Sequence, residues 1–236
     1  RYSEVPYTSD FIAFMIDQKL EKKYVLDLLE GVISDCERSI RIEDQDGLIT
    51  YCYHVAGTVG ALMCTLLGVK REEYKVALPA AIHLGIAMQL TNIARDIKED
   101  AENNRIYIPQ SWIALDDASI LTTKPISVDA NGQESCKKLL ELADQYYEQA
   151  IKGYAYLPFR ARLTILIAAN LYKAIGIKIA KSNYHYWEGR QVISKQEKIL
   201  RTIFSLTEIL RSSFWQKNLK QQKPLKQDLS YAGKSI

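Results

Sequence analysis

Apolar residues recur at intervals of three and four along most of this chain, and no segment shows convincing alternation of apolar and polar positions. The first spacing is typical of amphipathic α-helices, whereas strict alternation is typical of strands. The pattern predicts helices over residues 10–20, 22–40, 47–68, 72–101, 134–152, 159–186 and 195–218. The breaks between them are too short to be clear interdomain linkers. The expected fold class is therefore all-α, as one domain over 1–236 with a frayed tail over 216–236.

Composition and charge exclude several classes of function. The chain has 236 residues, 47% of them hydrophobic, which is enough for a large core. The formal net charge of +3 is small and evenly spread, so we expect no nucleic acid partner. The four cysteines lack paired spacing, which favours a reducing compartment. No run of about 18 uncharged apolar residues is present, so we expect no membrane-spanning segment.

A row of oxygen-bearing side chains lies along the predicted helix over 72–101. At about 100° per residue these side chains share one narrow arc. The row consists of Gln89, Asn92, Asp96 and Asp100. Two carboxylates one turn apart suit Mg²⁺, which proteins hold through one or two carboxylates together with substrate phosphates. A solvated polar face is the simpler interpretation. An adjoining apolar stripe favours instead a metal site that faces a cavity; it consists of Ile86, Leu90, Ile93 and Ile97.

A face of small residues is predicted on the helix over 47–68, and it consists of Gly57, Gly60, Ala61 and Cys64. Each glycine inside a helix costs up to about 1 kcal/mol relative to alanine, so these glycines require a reason. Close packing of two helices is one interpretation, and a shallow groove for a long apolar ligand is the other. Gly31 and Gly85, which interrupt two further helical runs, leave the same choice open.

Other catalytic motifs are missing from the sequence. It contains no glycine-rich phosphate loop, no Gly-x-Ser-x-Gly elbow and no Cys-x-x-Cys pair. An arginine fork at Arg190 could hold a phosphate, although a surface arginine is the default. The residues therefore indicate Mg²⁺ and diphosphate chemistry beside an apolar tunnel. Carboxylate-held Mg²⁺ neutralises a diphosphate leaving group, and a dry cavity protects a carbocation from water.

Several of these segments together resemble the squalene and phytoene synthase family of head-to-head prenyl transferases, and within it the bacterial phytoene synthases. The matching stretches are 51–60 (YCYHVAGTVG), 89–100 (QLTNIARDIKED), 105–109 (RIYIP), 111–112 (SW), 157–160 (LPFR) and 172–198. The resemblance implies an isoprenoid synthase fold, with helices around a central cavity. It also implies condensation of two geranylgeranyl diphosphates through prephytoene diphosphate to phytoene, in carotenoid biosynthesis.

The resemblance further implies a metal cofactor, Mg²⁺ or alternatively Mn²⁺, and no NADPH. The implied catalytic residues are Tyr51, Arg95, Asp96 and Asp100. The implied metal ligands are Asp96, Asp100 and Asn92. The implied substrate-binding residues are Gln89, Asn92, Tyr184, Arg190, Ala56, Gly57 and Gly60; the last three would line the prenyl channel.

A product as apolar as phytoene must leave into lipid, so we expect peripheral contact with a membrane, and carotenoid-pathway enzymes are possible partners. The candidate membrane surface is a basic stretch with Trp215, Lys217, Lys220, Lys223 and Lys226, which is equally well explained as a solubilising tail. We expect the protein to be associated with the membrane on its cytoplasmic side in a bacterium, or to lie in the plastid of a eukaryote.

One departure from the family concerns its first DxxxD motif, which lies on an earlier helix. Asp10, Asp17, Asp27 and Asp35 form no such pair. We therefore expect the family's N-terminal helices to be absent, and this chain on its own to turn over poorly. A dehydrosqualene or squalene-type synthase that uses two farnesyl diphosphates is one alternative. A non-catalytic truncated homologue is another, although the intact acidic row counts against it.

Overall fold

The computed structural model describes residues 7–37, 39–113, 118–122 and 130–219, without the side chains of 130–131 and 208–219. The helices are α1 Thr8–Asp17, α2 Lys22–Ser34, α3 Gln45–Cys52, α4 Thr58–Leu66, α5 Tyr74–Glu102, α6 Ala130–Ala150, α7 Phe159–Lys181 and α8 Lys195–Leu219. A π-helical turn, Tyr53–Gly57, connects α3 directly to α4. Two short strands are β1 Ile40–Arg41 and β2 Arg105–Ile106. The predicted all-α fold is confirmed.

Helix α5 is the centre of the fold and packs against α4, α6 and α7. It is 29 residues long, and its buried positions recur along its whole length, from Ala77 to Ala101. A helix of this length spans about 44 Å, so that one element carries both core contacts and functional side chains. The buried side chains of α3, α5 and α6 belong to a common hydrophobic cluster.

Two predicted helices end earlier in the structure than the periodicity indicates. The segment predicted over 22–40 ends at Ser34, after which the chain enters β1. The segment predicted over 159–186 ends at Lys181, because Asn183 and Tyr184 adopt left-handed φ angles of 54° and 58°. Most of the predicted loop over 114–132, and most of the predicted tail over 216–236, lie outside the described residues.

The strands form a parallel pair in which Ile40 is opposite Arg105 and Arg41 is opposite Ile106. Arg41 Nη2 donates a hydrogen bond of 3.0 Å to Asn104 Oδ1 beside this pair. Two residues are too few to produce an alternating pattern in the sequence. The pairing ties the exit of α5 to the connection between α2 and α3.

In the part of the chain that the structure describes, length and composition alone would allow three segments to cross a membrane: Gln45–Leu66, Arg71–Glu102 and Phe159–Lys181. Residues 47–69 and 76–94 contain no Asp, Glu, Lys or Arg, so the expectation that no long uncharged apolar run is present is wrong as to composition. The expectation that no segment spans a membrane stays a prediction. Within this fold, 56% of the apolar window of the second segment is buried, compared with 17% for the third.

Candidate active site

The predicted row of oxygen-bearing side chains lies on one half-buried face of α5. Asn92 Nδ2 donates a hydrogen bond of 3.3 Å to Gln89 Oε1, which connects the two amides. Asn92 Oδ1 is buried and has no hydrogen-bond partner among the described residues. Leaving a buried acceptor unsatisfied costs about 1–3 kcal/mol. This oxygen is thus suited to coordinate a cation. The row therefore differs from an ordinary solvated helix surface.

Asp96 lies between two arginines. Arg95 donates to both of its carboxylate oxygens, with a distance of 2.7 Å from Nε to Oδ1. Arg190 Nε lies 3.1 Å from Asp96 Oδ1, and Arg190 Nη1 lies 3.6 Å from Glu99 Oε2. The structure therefore brings Arg190 to the acidic row, whereas its implied contact with diphosphate stays a prediction. Both arginines present planar donors of the kind that bind carboxylate or phosphate bidentately.

Asp100 has a different environment from Asp96. Burial and the charge of Asp96 raise the pKa of its carboxyl group to about 7, while the charge of Arg105 opposes the rise. Its negative charge is therefore poorly compensated. A divalent cation would remove this penalty, because an opposite charge stabilises the ionised carboxylate.

The residues present fit Mg²⁺, with Asp96, Asp100 and Asn92 as the side chains that would hold it. The uncompensated charge of Asp100 and the unpartnered Asn92 oxygen are the observations that support this fit. In the part of the chain that the structure describes, no three His, Cys, Asp or Glu side chains are grouped to hold a metal. Mg²⁺ is usually held through one or two carboxylates together with substrate phosphates, so two carboxylates and one amide oxygen are compatible with it.

Tyr51 lies next to the acidic row and is held by a residue that sequence reasoning missed. Its hydroxyl donates to both carboxylate oxygens of Asp35, each at 3.1 Å. Tyr107 donates to Asp35 Oδ1 at 3.0 Å, and the two tyrosine rings stack with centroids 4.8 Å apart. The charge of Asp35 also contributes to the raised pKa of Asp100, although less than burial and Asp96. Asp35 therefore belongs to the same site.

The segment that follows α7 approaches the row from a second direction. Lys98 Nζ on α5 donates a hydrogen bond of 3.4 Å to the Trp187 carbonyl, so this segment lies against the central helix. Tyr184 packs against the main hydrophobic cluster. Its left-handed φ of 58° is unusual for a bulky side chain. The expected contact of Tyr184 with diphosphate stays a prediction.

The small-residue face proves to be a close contact between helices. A Cβ atom on Gly60 would lie 2.2 Å from the Ala81 carbonyl oxygen, and one on Gly85 would lie 2.2 Å from that of Ala56. Gly57 is buried against Tyr53 and Ile82 side chains. The packing interpretation therefore accounts for these glycines, whereas lining of a prenyl channel by Ala56 and Gly57 stays a prediction.

Gly60 also borders a small apolar cleft of about 60 Å³. Its wall is formed by α4 and the residue after it, α5, α7 and the turn between α6 and α7. It includes Met63, Leu67, Ala81, Leu84, Tyr154 and Ile165. Leu84 and Asp96 lie on the same helix, and the rise of 1.5 Å per residue separates them by about 18 Å. An apolar cleft and an acidic row thus occupy two positions along α5.

Comparison with known proteins identifies the family to which the chain belongs. The sequence profile of the squalene/phytoene synthase family matches residues 3–197. The 15-cis-phytoene synthase of Enterobacter agglomerans is 38% identical over 179 residues, which are 75% of this chain and 58% of that protein. The chloroplastic phytoene synthase of Narcissus pseudonarcissus is 36% identical over 74% of this chain and 42% of that protein.

A solved structure of a dehydrosqualene synthase in complex with ligand is similar, with a TM-score of 0.70 and 26% identity over 80% of this chain and 65% of that one. The chain spans little more than half the length of its first curated bacterial relatives. The matched profile, the relatives and the helical fold agree with the motifs on α3, α5 and the segment after α7. Together they place this chain in the squalene/phytoene synthase family.

Proposed function

We propose that this chain is the larger part of a phytoene synthase, which condenses two geranylgeranyl diphosphates through prephytoene diphosphate to phytoene in carotenoid biosynthesis. The observation that carries the proposal is the arrangement on α5, where the half-buried acidic row and the apolar cleft share one helix. The identity to phytoene synthases, at 36% and 38%, favours the same reaction. We further propose that residues 1–236 form one domain.

The polar side chains would bind and orient the diphosphate end of the substrate. Mg²⁺, when bound, would supply the positive charge that makes diphosphate a competent leaving group. Gln89 would fix the Asn92 amide through their hydrogen bond, and Arg95 would fix Asp96. Arg190 would present its guanidinium to phosphate oxygens, since bidentate Arg–phosphate pairs are strong and geometrically specific. Tyr184 would contribute a further contact with diphosphate.

The apolar elements would hold the prenyl chain and exclude water. The distance of about 18 Å between Leu84 and Asp96 along α5 is comparable to the length of an extended C20 chain. Gly60, Ala81 and Leu84 would then contact its distal end. A water-excluding cavity prevents capture of reactive intermediates by water. No NADPH would be required, because proton loss completes the formation of phytoene.

Use of two farnesyl diphosphates by a dehydrosqualene-type synthase is the second candidate. The observation that favours it is the dehydrosqualene synthase structure, with its TM-score of 0.70 at 26% identity. The two candidates differ in the length of the prenyl chain, and therefore in how far the apolar cleft extends from the acidic row. The sequence identities favour the C20 substrate.

Peripheral membrane contact is a further part of the proposal. Helix α8 exposes Ile199, Leu200, Ile203 and Phe204, each more than half exposed. Lys195, Lys198 and Arg201 lie on the same helix, as in helices that bind the surface of anionic membranes. The basic stretch around Trp215 lies outside the described side chains. We propose a membrane-associated location, in the cytoplasm of a bacterium or in a plastid, with carotenoid-pathway enzymes as partners.

The test is an assay with purified protein, Mg²⁺ and either geranylgeranyl or farnesyl diphosphate, in which the hydrocarbon product is identified by its mass. The expected product is C40 from geranylgeranyl diphosphate, formed slowly by this chain on its own, and Asp96→Ala should abolish it. A C30 product from farnesyl diphosphate would instead assign the protein to the second candidate. A product that persists undiminished in Asp96→Ala would contradict the role of the acidic row.

A further inference from the structure

We propose that Asp35 is a positioning residue for Tyr51, because its carboxylate holds the hydroxyls of Tyr51 and Tyr107 in one fixed arrangement beside the acidic row. The catalytic consequence of this inference rests on the proposed function. The hydrogen-bonded arrangement itself does not, and it can be tested without turnover.

The contacts of Asp35 are those of a structural acceptor for two phenols. The Tyr51 hydroxyl lies 3.1 Å from each carboxylate oxygen, and the Tyr107 hydroxyl lies 3.0 Å from Oδ1. An ionised carboxylate accepts about four hydrogen bonds, and bonds to a charged acceptor are stronger than neutral ones. The two rings stack at an interplanar angle of 26°, so each tyrosine restricts the other.

The backbone of Asp35 is fixed on both sides. Its N–H donates to the Gly31 carbonyl at 3.2 Å, and its carbonyl accepts a hydrogen bond of 3.1 Å from Arg105 Nη2. Arg105 therefore caps the C-terminal end of α2, where a positive charge is favourable. Gly31 brings α2 close to the π-helical turn, since a Cβ atom there would lie 2.8 Å from His54 Cβ and Val55 Cγ1. Asp35 can thus move only if the end of α2 moves.

This arrangement determines what Tyr51 can offer a substrate. Burial raises the pKa of Tyr51, and the neighbouring Tyr107 and the charge of Asp35 contribute to the same rise. Tyr51 therefore remains a neutral phenol whose proton points towards Asp35. Its hydroxyl therefore has only oxygen lone pairs left for a further contact, and lone pairs attract a cation or accept a hydrogen bond. Asp35 thus fixes the position from which Tyr51 can make such a contact.

A double-mutant cycle tests the catalytic consequence. Steady-state turnover of geranylgeranyl diphosphate with Mg²⁺ is measured for the wild type, Asp35→Asn, Tyr51→Phe and the double variant. We expect Asp35→Asn to lower kcat by about 10- to 100-fold with little change in KM, and the double variant to be no worse than the more impaired single variant. Asp35→Glu, which keeps the carboxylate, should recover part of kcat. Losses that multiply in the double variant, or a wild-type kcat in Asp35→Asn, would overturn the proposal.

A second measurement needs no turnover. Fluorine NMR of protein labelled with 3-fluorotyrosine is recorded, and the two resonances are assigned by their loss in Tyr51→Phe and Tyr107→Phe. Asp35→Asn should shift both resonances, whereas Glu37→Gln, an exposed carboxylate two residues away, should shift neither. Unmoved resonances in Asp35→Asn would contradict the inference. If Asp35→Asn does not fold, Asp35→Glu should shift these two resonances selectively, and the absence of such a shift would equally contradict it.

The two measurements separate the possible failures. A wild-type protein that forms no hydrocarbon from either diphosphate would remove support for the proposed function, while the NMR shifts would still decide whether Asp35 holds both tyrosines. Conversely, normal product formation with unmoved tyrosine resonances would retain the function and reject the role of Asp35.

Discussion

Arg190 Nε lies 3.1 Å from Asp96 Oδ1, so the segment after α7 is joined by an ion pair to the middle of the acidic row on α5. The Asp96 side chain is only 17% exposed, whereas that of Arg190 is 48% exposed. A half-exposed guanidinium next to a carboxylate that we propose as a metal ligand is well placed to contact the phosphates that such a metal would bind. This relationship leads to the first prediction.

Arg190→Gln should weaken binding of inorganic pyrophosphate in the presence of Mg²⁺ by about 10- to 100-fold, since a hydrogen bond to a charged group contributes about 1.5–3 kcal/mol. Arg190→Lys should recover part of the affinity, because lysine keeps the charge but loses the planar fork. Isothermal titration calorimetry measures both. Arg71→Gln, an equal charge change at an exposed site, is the control and should bind like the wild type. Unchanged affinity in Arg190→Gln would count against a phosphate contact.

Asn92→Ala should separate function from stability. The variant loses one long hydrogen bond of 3.3 Å but also removes a buried unpartnered oxygen, so the free energy of unfolding should change by less than about 1 kcal/mol. Mg²⁺-dependent pyrophosphate binding should nevertheless fall clearly. Asn170→Ala, which removes a 2.8 Å hydrogen bond to Ser205, should show the opposite pattern of lower stability and normal binding. Urea unfolding measures the stability of each variant, and calorimetry measures its pyrophosphate binding. If Asn92 were merely structural, the two variants would show the same pattern in both measurements.

Gly85→Ala should destabilise the fold by about 1–3 kcal/mol or more, because the added methyl group would meet the Ala56 carbonyl oxygen at 2.2 Å, and backbone cannot yield easily. Gly176→Ala is the matched control. Its methyl group would meet only the end of a leucine side chain, Leu140 Cδ2, at 3.2 Å. The gain in helix propensity of up to about 1 kcal/mol should then leave that variant near or above wild-type stability. Equal unfolding midpoints for the two variants would refute close packing at Gly85.

The pKa of Asp27 predicts how the stability of the fold changes at acidic pH. Burial would raise the pKa of this carboxyl group, but hydrogen bonds from Tyr53 and Lys23 outweigh burial and lower it. A carboxyl group whose pKa is lower in the folded than in the unfolded state stabilises the fold. This contribution is fully present at pH values above the unfolded-state pKa, near 3.9, and it disappears as the pH falls through the folded-state pKa. Asp27→Asn should therefore cost about 2 kcal/mol at neutral pH and progressively less below about pH 4.

Urea unfolding between neutral and acidic pH measures this difference in the free energy of unfolding. Asp144→Asn is the control, since Asp144 pairs at 3.5 Å with Lys173 on the surface, where both side chains are at least 41% exposed. Exposed pairs contribute about 0–1 kcal/mol, so this variant should remain close to the wild type. A constant difference between Asp27→Asn and the wild type across the pH range would contradict the linkage.

The sequence was sufficient to predict which side chains lie together in the part of the site formed by one helix. Gln89, Asn92, Asp96 and Asp100 share a face because helical spacing alone brings residues three and four apart together. The same local reasoning identified the small-residue face, but it could not decide between packing and a groove. That decision depends on the Ala56 and Ala81 carbonyls across the helix contact, which no spacing reveals.

Contacts between distant segments could not be predicted. The sequence offers Asp35 only as a possible member of a DxxxD pair, whereas its partners in the structure, Tyr51 and Tyr107, are brought to it by α3 and by the β1–β2 pairing. These strands are too short to leave a period-two signal. The Arg190–Asp96 ion pair likewise depends on how the segment after α7 packs against α5. Only the resemblance to the family had indicated that this arginine lies near the acidic row.

We propose that the row on α5 holds diphosphate together with Mg²⁺. Calorimetric titration of the protein with inorganic pyrophosphate, with Mg²⁺ and then with EDTA in its place, tests this binding. Binding should be present with Mg²⁺, and it should disappear both with EDTA and in the double variant Asp96→Asn, Asp100→Asn. Equal binding with and without Mg²⁺, or wild-type binding by the double variant, would contradict the account.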